Sequence, residues 1–360
     1  MKKIILLNIL ILSFSAHLSA QEYYTNSDVK KFMKPHLRVK PIKKYIHVGE
    51  KLVIRGTFSN EIKAIKIYQE TKLGLVKSVK VKHNENAFTA HVVFNSRGKY
   101  ILEIGCIHKK WSWKMGILAY IHVDSNRPVT TPPFKERTPI RNTVQAERVF
   151  LRKLNRLRAR YNLNPMKWDK KLEYIARYHA RLCAKHGFSA HTTPWSGSVS
   201  DRAKMIGYHG VGENIAGGRT PARALNGLFK SIAHRSALLN PFFTKVGIGV
   251  SRFKSYYLFT VNFLNEASHF RKLKQYKRAL NVMKYIERSI KRSIYRNHKS
   301  TLASFYRQRG WINMKLKRYG KANYDFINAY QNAPDNMHVI KGLAHSYYRV
   351  KKIPNSNKIL

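Results

Sequence analysis

Two histidines and one glutamate are the main candidates for chemistry in this chain, because each lies in a distinctive sequence segment. His191 lies in the segment GFSAHTTP, Glu213 in GENIAGG and His234 in AHRSALLNPFFTKVGIGV. A neutral imidazole binds borderline cations such as Zn²⁺, and a carboxylate can coordinate a metal, orient a water or act as a general base. Because the three residues are far apart in the sequence, they form one site only if the fold brings them together.

Taken in order, the three segments resemble the CAP superfamily, which contains cysteine-rich secretory proteins, antigen 5 and plant pathogenesis-related proteins. The resemblance is strongest to the short bacterial members and covers residues 144–265. It implies an α-β-α sandwich with a cleft whose floor carries two histidines and two acidic residues. By position, His191 matches the first histidine of that cleft, Glu213 its first acid and His234 its second histidine. The resemblance therefore predicts that these three side chains share one site.

The second acid of the family pattern is missing. It would be expected in the segment RALNGLFKSIAHR before His234, which contains neither Asp nor Glu. Two imidazoles and one carboxylate with an open fourth position is an arrangement found in hydrolytic zinc sites. One prediction is therefore that His191, Glu213 and His234 hold Zn²⁺ or another divalent cation. The loss of the fourth group equally suits a site that keeps its shape without chemistry. No residue is therefore assigned as catalytic, and His191, Glu213 and His234 are the candidates.

Other chemical groupings are weaker. Ser196 and Ser198 follow His191, so a Ser-His-Glu hydrolase can be drawn, but no G-x-S-x-G elbow accompanies them and a solvated loop is expected. His179 and Cys183 are one helical turn apart and could bind a metal. A core histidine beside a core thiol is the favoured interpretation.

Changes in the period of the apolar residues along the chain predict a multi-domain protein. Apolar residues alternate with period two between residues 43 and 123, in about seven predicted strands, and the period becomes 3.6 from Val144. Small residues and a proline at tetratricopeptide-like offsets recur from Ala303 to Pro334. The predicted regions are a signal peptide at 1–20, an antiparallel β-sandwich of immunoglobulin-like architecture at 21–124, a proline-rich linker at 125–143, the CAP domain at 144–265 and an α-helical repeat module at 266–360.

The first 20 residues predict export to the periplasm or the extracellular space. Lys2 and Lys3 precede an apolar run, which ends in small residues up to Ala20, as in a secretory signal peptide. The chain has only two cysteines, Cys106 and Cys183, which we expect to be buried thiols and not a disulfide.

The net charge of +51 is spread over all predicted regions. A sequence-specific nucleic-acid reader would concentrate charge on one face, so that class is disfavoured, whereas attraction to an anionic envelope polymer or membrane surface is one interpretation. Trp111 and Trp113 are expected to cover a core edge.

Two functions follow as hypotheses. The first is a secreted binding or interaction protein that holds a lipid or another envelope-derived ligand in the His/Glu cleft, with a protein partner on the helical repeats. The alternative is a metal-assisted hydrolase, such as a peptidase, that uses His191, Glu213 and His234. A purely structural or adhesive role is a third.

Overall fold

The structure, a computed structural model, describes residues 36–71, 76–108, 114–125, 134 and 140–351. The predicted signal peptide, both tryptophans at 111 and 113 and all four prolines of the predicted linker lie outside the described residues. Among the helices of the described ranges, none combines the length and apolar character needed to cross a bilayer.

The N-terminal region is rich in β-structure and forms two sheets. One sheet has the order β1-β3-β7-β6, and the other has the order β2-β9-β8-β4-β5. All neighbouring pairs are antiparallel except β2 and β9, which are parallel. The strands are β1 (Leu37–Val39), β2 (Tyr45–Ile46), β3 (Lys51–Phe58), β4 (Ile62–Glu70), β5 (Val76–Val79), β6 (Val81–Asn84), β7 (Ala87–Val93), β8 (Gly98–His108) and β9 (Lys114–Val123).

Alternating burial explains how these sheets pack. Ile54 of β3, Phe88 of β7 and Ile104 of β8 are buried in one hydrophobic cluster that both sheets share. The described part of this region has eight strands between residues 43 and 123, where about seven were predicted, and β1 precedes that range. The short strands β1 and β2, with three and two residues, are too brief to show an apolar alternation.

The central region places helices on both faces of a four-stranded sheet with the order β10-β12-β13-β11. Phe259 and Val261 of β13 join the core that contains Phe150, whereas Leu264, which faces the other way, packs with Leu172. The elements are α1 (Thr143–Arg160), β10 (Lys167–Trp168), α2 (Lys170–Lys185), α3 (Val199–Met205), β11 (Val211–Gly218), α4 (Pro221–Lys230), α5 (Ile232–Leu238), β12 (Lys245–Phe253) and β13 (Tyr256–Leu264).

Local sequence explains two features of this region. Asp169 accepts hydrogen bonds from the backbone N–H groups of Lys171 and Leu172 and so forms the N-cap of α2. Gly249 lets α2 lie directly on β12, since a Cβ atom there would come within 2.3 Å of the backbone of Ala176.

The C-terminal region is helical, and ten helices are present in the described residues as a whole. Phe326 of α9 lies against Gly310 of α8 and Gly342 of α10, where added Cβ atoms would be 3.0 and 2.2 Å from its ring. Small residues therefore let the helices cross closely. The helices are α6 (Glu266–Lys272), α7 (Tyr276–Arg292), α8 (Lys299–Lys315), α9 (Tyr319–Asn332) and α10 (Met337–Lys351).

The central and helical regions share one hydrophobic core. Met283 and Ile286 of α7 and Phe305 of α8 belong to the same cluster as Phe150 and Leu154 of α1. The helical region is therefore packed onto the central region and is not joined to it by a free hinge.

Candidate functional site

The structure brings His191, Glu213 and His234 together from three elements. His191 lies in the connection after α2, Glu213 on β11 and His234 on α5. Nδ1 of His191 is 3.0 Å from Oε1 of Glu213, and the two imidazole centroids are 6.5 Å apart with planes inclined by 31°. The predicted triad thus forms one continuous group of side chains.

Glu213 is half of a buried ion pair that the sequence did not indicate. Nη2 of Arg202, on α3, is 2.6 Å from Oε2 of Glu213, and the two side chains are 0% and 1% exposed. Burial alone would raise the pKa of the Glu213 carboxyl, but the hydrogen bond from His191 and the charge of Arg202 outweigh it and lower that pKa below its ordinary value. The carboxylate is therefore ionised, with one oxygen bound to each partner.

The neighbours of each imidazole determine which ring nitrogen carries the proton. An ionised carboxylate only accepts hydrogen bonds, so Nδ1–H of His191 donates to Glu213. Nε2 of His191 then keeps a lone pair in the neutral ring, and no other side chain of the described ranges forms a hydrogen bond to it. The His191 side chain is 39% exposed, so this nitrogen is the acceptor that the site offers to a ligand.

His234 is positioned by a serine and by a carboxylate from the N-terminal region. Nδ1 of His234 is 2.8 Å from Oγ of Ser231, which lies 3.3 Å from the nearer carboxylate oxygen of Glu103 on β8. Glu103 also accepts a hydrogen bond from the backbone N–H of Ala233. Because the carboxylate accepts the Ser231 proton, His234 donates Nδ1–H to Ser231. The acid missing from the segment before His234 thus has a counterpart on a distant strand, although it acts through Ser231.

A second buried ion pair joins the same two regions. Nη1 of Arg235, the residue after His234, is 2.5 Å from Oε1 of Glu70 at the end of β4, and both side chains are almost completely buried. Arg235 is thus the partner of a buried acid. The sequence signal for the acidic partners is weak: Tyr100, Leu102 and Ile104 face the β core, so Glu103 had to lie on the outer face, where a solvated carboxylate is the usual expectation.

The donor set fits a three-ligand metal site poorly. Within the described ranges, no group of three or more His, Cys, Asp and Glu side chains is arranged to hold a metal ion. Both Glu213 oxygens already accept hydrogen bonds, and a cation on this carboxylate would lie beside the buried guanidinium of Arg202. Of the three predicted ligands for Zn²⁺ or another divalent cation, only the imidazoles of His191 and His234 therefore remain available.

Ser196 is not arranged as a nucleophile for His191. It is buried, and its Oγ lies 2.7 Å from Nδ1 of His179, so the expectation of a solvated loop is wrong at this residue. Nε2 of His179 donates to the carbonyl of Ala190, and burial lowers the pKa of His179 to about 4. Ser196 is held in the interior because this neutral ring needs a hydroxyl donor at Nδ1. Ser198 caps α3.

The prediction of a core histidine beside a core thiol is confirmed. His179 and Cys183 are both fully buried, and the Cys183 sulfur lies 3.6 Å from Nε2 of His179. Cys106 is also a buried thiol.

Comparison with known proteins identifies the central region. Residues 151–263 match the model of the cysteine-rich secretory protein family, CAP, so this chain contains a CAP domain. YkwD, an uncharacterized protein of Bacillus subtilis, is 32% identical over 129 residues, which cover 35% of this chain and 50% of YkwD. YlbC, an uncharacterized membrane protein of the same organism, is 32% identical over 123 residues, covering 33% of this chain and 34% of YlbC. The chain thus spans half or less of the length of these curated relatives.

Two solved structures are similar to parts of the chain. An outer surface protein from Borrelia burgdorferi has 23% identity and a TM-score of 0.32, over 35% of this chain and 96% of that chain. An extracellular protein containing an SCP domain from Bacillus anthracis has 17% identity and a TM-score of 0.33, over 68% of this chain and 93% of that chain.

Proposed function

We propose that this CAP-domain protein is an exported binding protein that holds an envelope-derived ligand at His191 and His234 without turning it over. The observation that carries the proposal is the state of Glu213. Its two oxygens bind His191 and Arg202, and its pKa is lowered. A general base needs a free basic atom near the reacting proton. This carboxylate instead orients His191 and balances the charge of Arg202.

The hydrolase hypothesis lacks support at the positions it needs. A metal-assisted mechanism would use Glu213 as a ligand or base, and both of its oxygens are already engaged. A serine mechanism would need Ser196 within reach of His191, but Ser196 is buried against His179. Binding by hydrogen bonds is the function that the arrangement favours.

The tautomer of His191 suggests the chemistry of the ligand. A lone pair on Nε2 accepts a hydrogen bond from a hydroxyl or an N–H group, so the ligand should present such donors beside the imidazoles. A hydroxyl-bearing lipid headgroup and an anionic envelope polymer with sugar hydroxyls share this chemistry. The +51 charge of the chain would strengthen contact with the polymer, in a salt-dependent way.

The C-terminal helices offer a surface for a protein partner. Tyr324 on α9 and Tyr347 and Tyr348 on α10 are more than half exposed, and Met337 at the start of α10 is 73% exposed. Tyrosine and methionine are common in protein interfaces, which supports the proposal of an interaction role for this region. Export to the periplasm or the extracellular space is part of the proposal and depends on residues 1–20.

The experiment compares wild type with His191→Ala and His234→Ala, and with His338→Ala as a control on α10. Each full chain is recovered from the compartment in which it accumulates, and its bound lipids, glycans and metals are measured by mass spectrometry. We expect one class of hydroxyl-bearing ligand to copurify with wild type and His338→Ala, and to be depleted in both cleft variants.

Two outcomes would count against the proposal. If all four proteins carry the same ligands, the cleft is not the binding site. If wild type contains stoichiometric metal that both cleft variants lose, and hydrolyses a peptide or ester panel that they do not, the hydrolase should replace the binding protein.

A further inference from the structure

One side of α1 carries arginines at a regular spacing. Arg148, Arg152 and Arg156 follow one another at four-residue intervals, and all three are exposed. Residues four apart in a helix lie on the same side, about 6 Å apart along its axis. The three guanidinium groups therefore form a line about 12 Å long, which we call the arginine row.

No acid compensates the arginine row in the described part of the chain. Among the described residues, none of the three arginines forms an ion pair with a carboxylate, and the only acid of α1, Glu147, is buried and bound to Arg177 of α2. Like charges four residues apart repel one another and destabilise a helix. On α7, by contrast, Lys291 pairs with Glu287 one turn before it. An uncompensated row of this kind attracts an anionic ligand from solution.

A polar pocket of about 270 Å³ lies at the C-terminal end of the row. Ala159, one of its lining residues, comes three residues after Arg156 and is exposed on the same side of α1. The pocket is also lined by Asn162, Asn164 and Arg292, and none of its described lining residues is acidic. Nη2 of Arg292, on α7, donates to Oδ1 of Asn164 over 2.7 Å, which holds the guanidinium at the pocket. The row thus leads into a pocket that offers amide and guanidinium groups.

The side chains around the row favour an acidic polysaccharide over other polyanions. Single-stranded nucleic acids are bound by basic grooves that also stack bases on aromatic rings, but the one aromatic residue of α1, Phe150, is buried. The ring of Trp168, beside the row, is covered by the guanidinium of Arg148 at 3.9 Å. A helix that lies on an anionic membrane presents large apolar residues, whereas Val144 is the only exposed one on α1.

We infer that the arginine row and its end pocket bind a linear acidic polysaccharide, with the guanidinium groups on successive anionic groups of the chain and one sugar in the pocket. A planar guanidinium binds an oxyanion through two parallel hydrogen bonds, and the asparagine amides of the pocket suit sugar hydroxyls. The surface lies on α1, on the segment that follows it and on α7, so it is separate from the His/Glu cleft. The inference therefore goes beyond the ligand proposed for His191 and His234.

The test is a titration of a fluorescently labelled oligogalacturonate, a linear chain with one carboxylate on each sugar, with the full protein at low salt. The row variant combines Arg148→Gln, Arg152→Gln and Arg156→Gln. We expect it to bind the oligosaccharide about ten- to a hundredfold more weakly than wild type, because each exposed charged contact contributes modestly. The row variant should fold, since the substitutions remove repulsion within α1, and its melting temperature should not fall.

A matched control separates the row from the general charge of the chain. The control variant combines Lys315→Gln, Lys321→Gln and Lys341→Gln, which remove three exposed charges from the C-terminal helices. It should bind within about threefold of wild type, because screened charges away from the site contribute little. Arg292→Gln tests the pocket and should also weaken binding, and neutral dextran should not bind.

The inference is overturned if the row variant and the control variant bind alike, if Arg292→Gln binds as wild type does, or if dextran binds as tightly as the oligogalacturonate. It is also overturned if single-stranded DNA or anionic vesicles bind through the row and the oligosaccharide does not. His191→Ala should bind the oligosaccharide as wild type does. Loss of binding in that variant would move the polysaccharide to the His/Glu cleft, which would contradict this inference and leave the proposed function standing.

Discussion

Replacing Glu213 by glutamine should destabilise the protein because it leaves a buried guanidinium without its counter-charge. Arg202 and Glu213 are 0% and 1% exposed and 2.6 Å apart, and glutamine has nearly the same shape as glutamate. Removing one partner of a buried ion pair costs about 3 to 5 kcal/mol of unfolding free energy. For a unit of this size the melting temperature should fall by on the order of 10 °C.

The stability difference between wild type and Glu213→Gln should depend on pH in a defined direction. The pKa of Glu213 is lowered in the folded state, so its contribution to stability is complete above the unfolded value near 4.5 and is lost as the pH falls through the folded value. The difference between wild type and Glu213→Gln should therefore be largest near neutral pH and should shrink below pH 4.5 as wild type becomes protonated.

The assay is urea unfolding of both full chains, followed by circular dichroism from pH 7 downwards. The reasoning would be refuted if the free energy of unfolding of Glu213→Gln lay within about 1 kcal/mol of wild type at pH 7, because an ordinary surface substitution changes it by that much or less. A difference that stays constant through the acid range would also refute it, because the carboxylate charge would then not be its cause.

Two further predictions concern the contact between regions and the thiols. Glu70→Gln should lower the free energy of unfolding in urea by about 3 to 5 kcal/mol, because it leaves the buried Arg235 without its counter-charge. The control Glu50→Gln changes an exposed pair and should leave the midpoint unchanged. Equal midpoints for the two variants would contradict the role of the buried pair. Burial raises the pKa of the Cys106 thiol to about 11 and that of Cys183 to about 12, so neither should react with a disulfide reagent at pH 8 until the chain is unfolded. A thiol that reacts in the native protein would show that the structure around that cysteine opens to solvent.

The sequence predicted the central region better than its surroundings, for physical reasons. The change to a helical period at Val144 depends on local periodicity, and the helix Thr143–Arg160 begins at that point. The meeting of His191, Glu213 and His234 followed from the CAP resemblance and not from spacing.

The partners of these residues were not predictable in the same way. Arg202 appeared as one more cation in a strongly basic chain, and its complete burial depends on the position of α3 in the fold. Glu103 contacts Ser231 across a boundary between regions, so no periodicity connects them. Ser196 was expected in a solvated loop because no G-x-S-x-G elbow accompanies it, but it is buried with its Oγ beside Nδ1 of the buried His179.

The helix that carries His234 has only seven residues, fewer than the roughly 12 to 15 that an isolated helix needs for even marginal stability in water. Its fixed shape is therefore imposed from outside: Glu103 and Glu70 hold its first half from the N-terminal region, and Arg158 binds the carbonyl of Leu238 at its end. The position of His234 is thus a property of the assembled chain. A CAP domain transplanted from this protein without its neighbours would carry the same residues but would not inherit the same cleft.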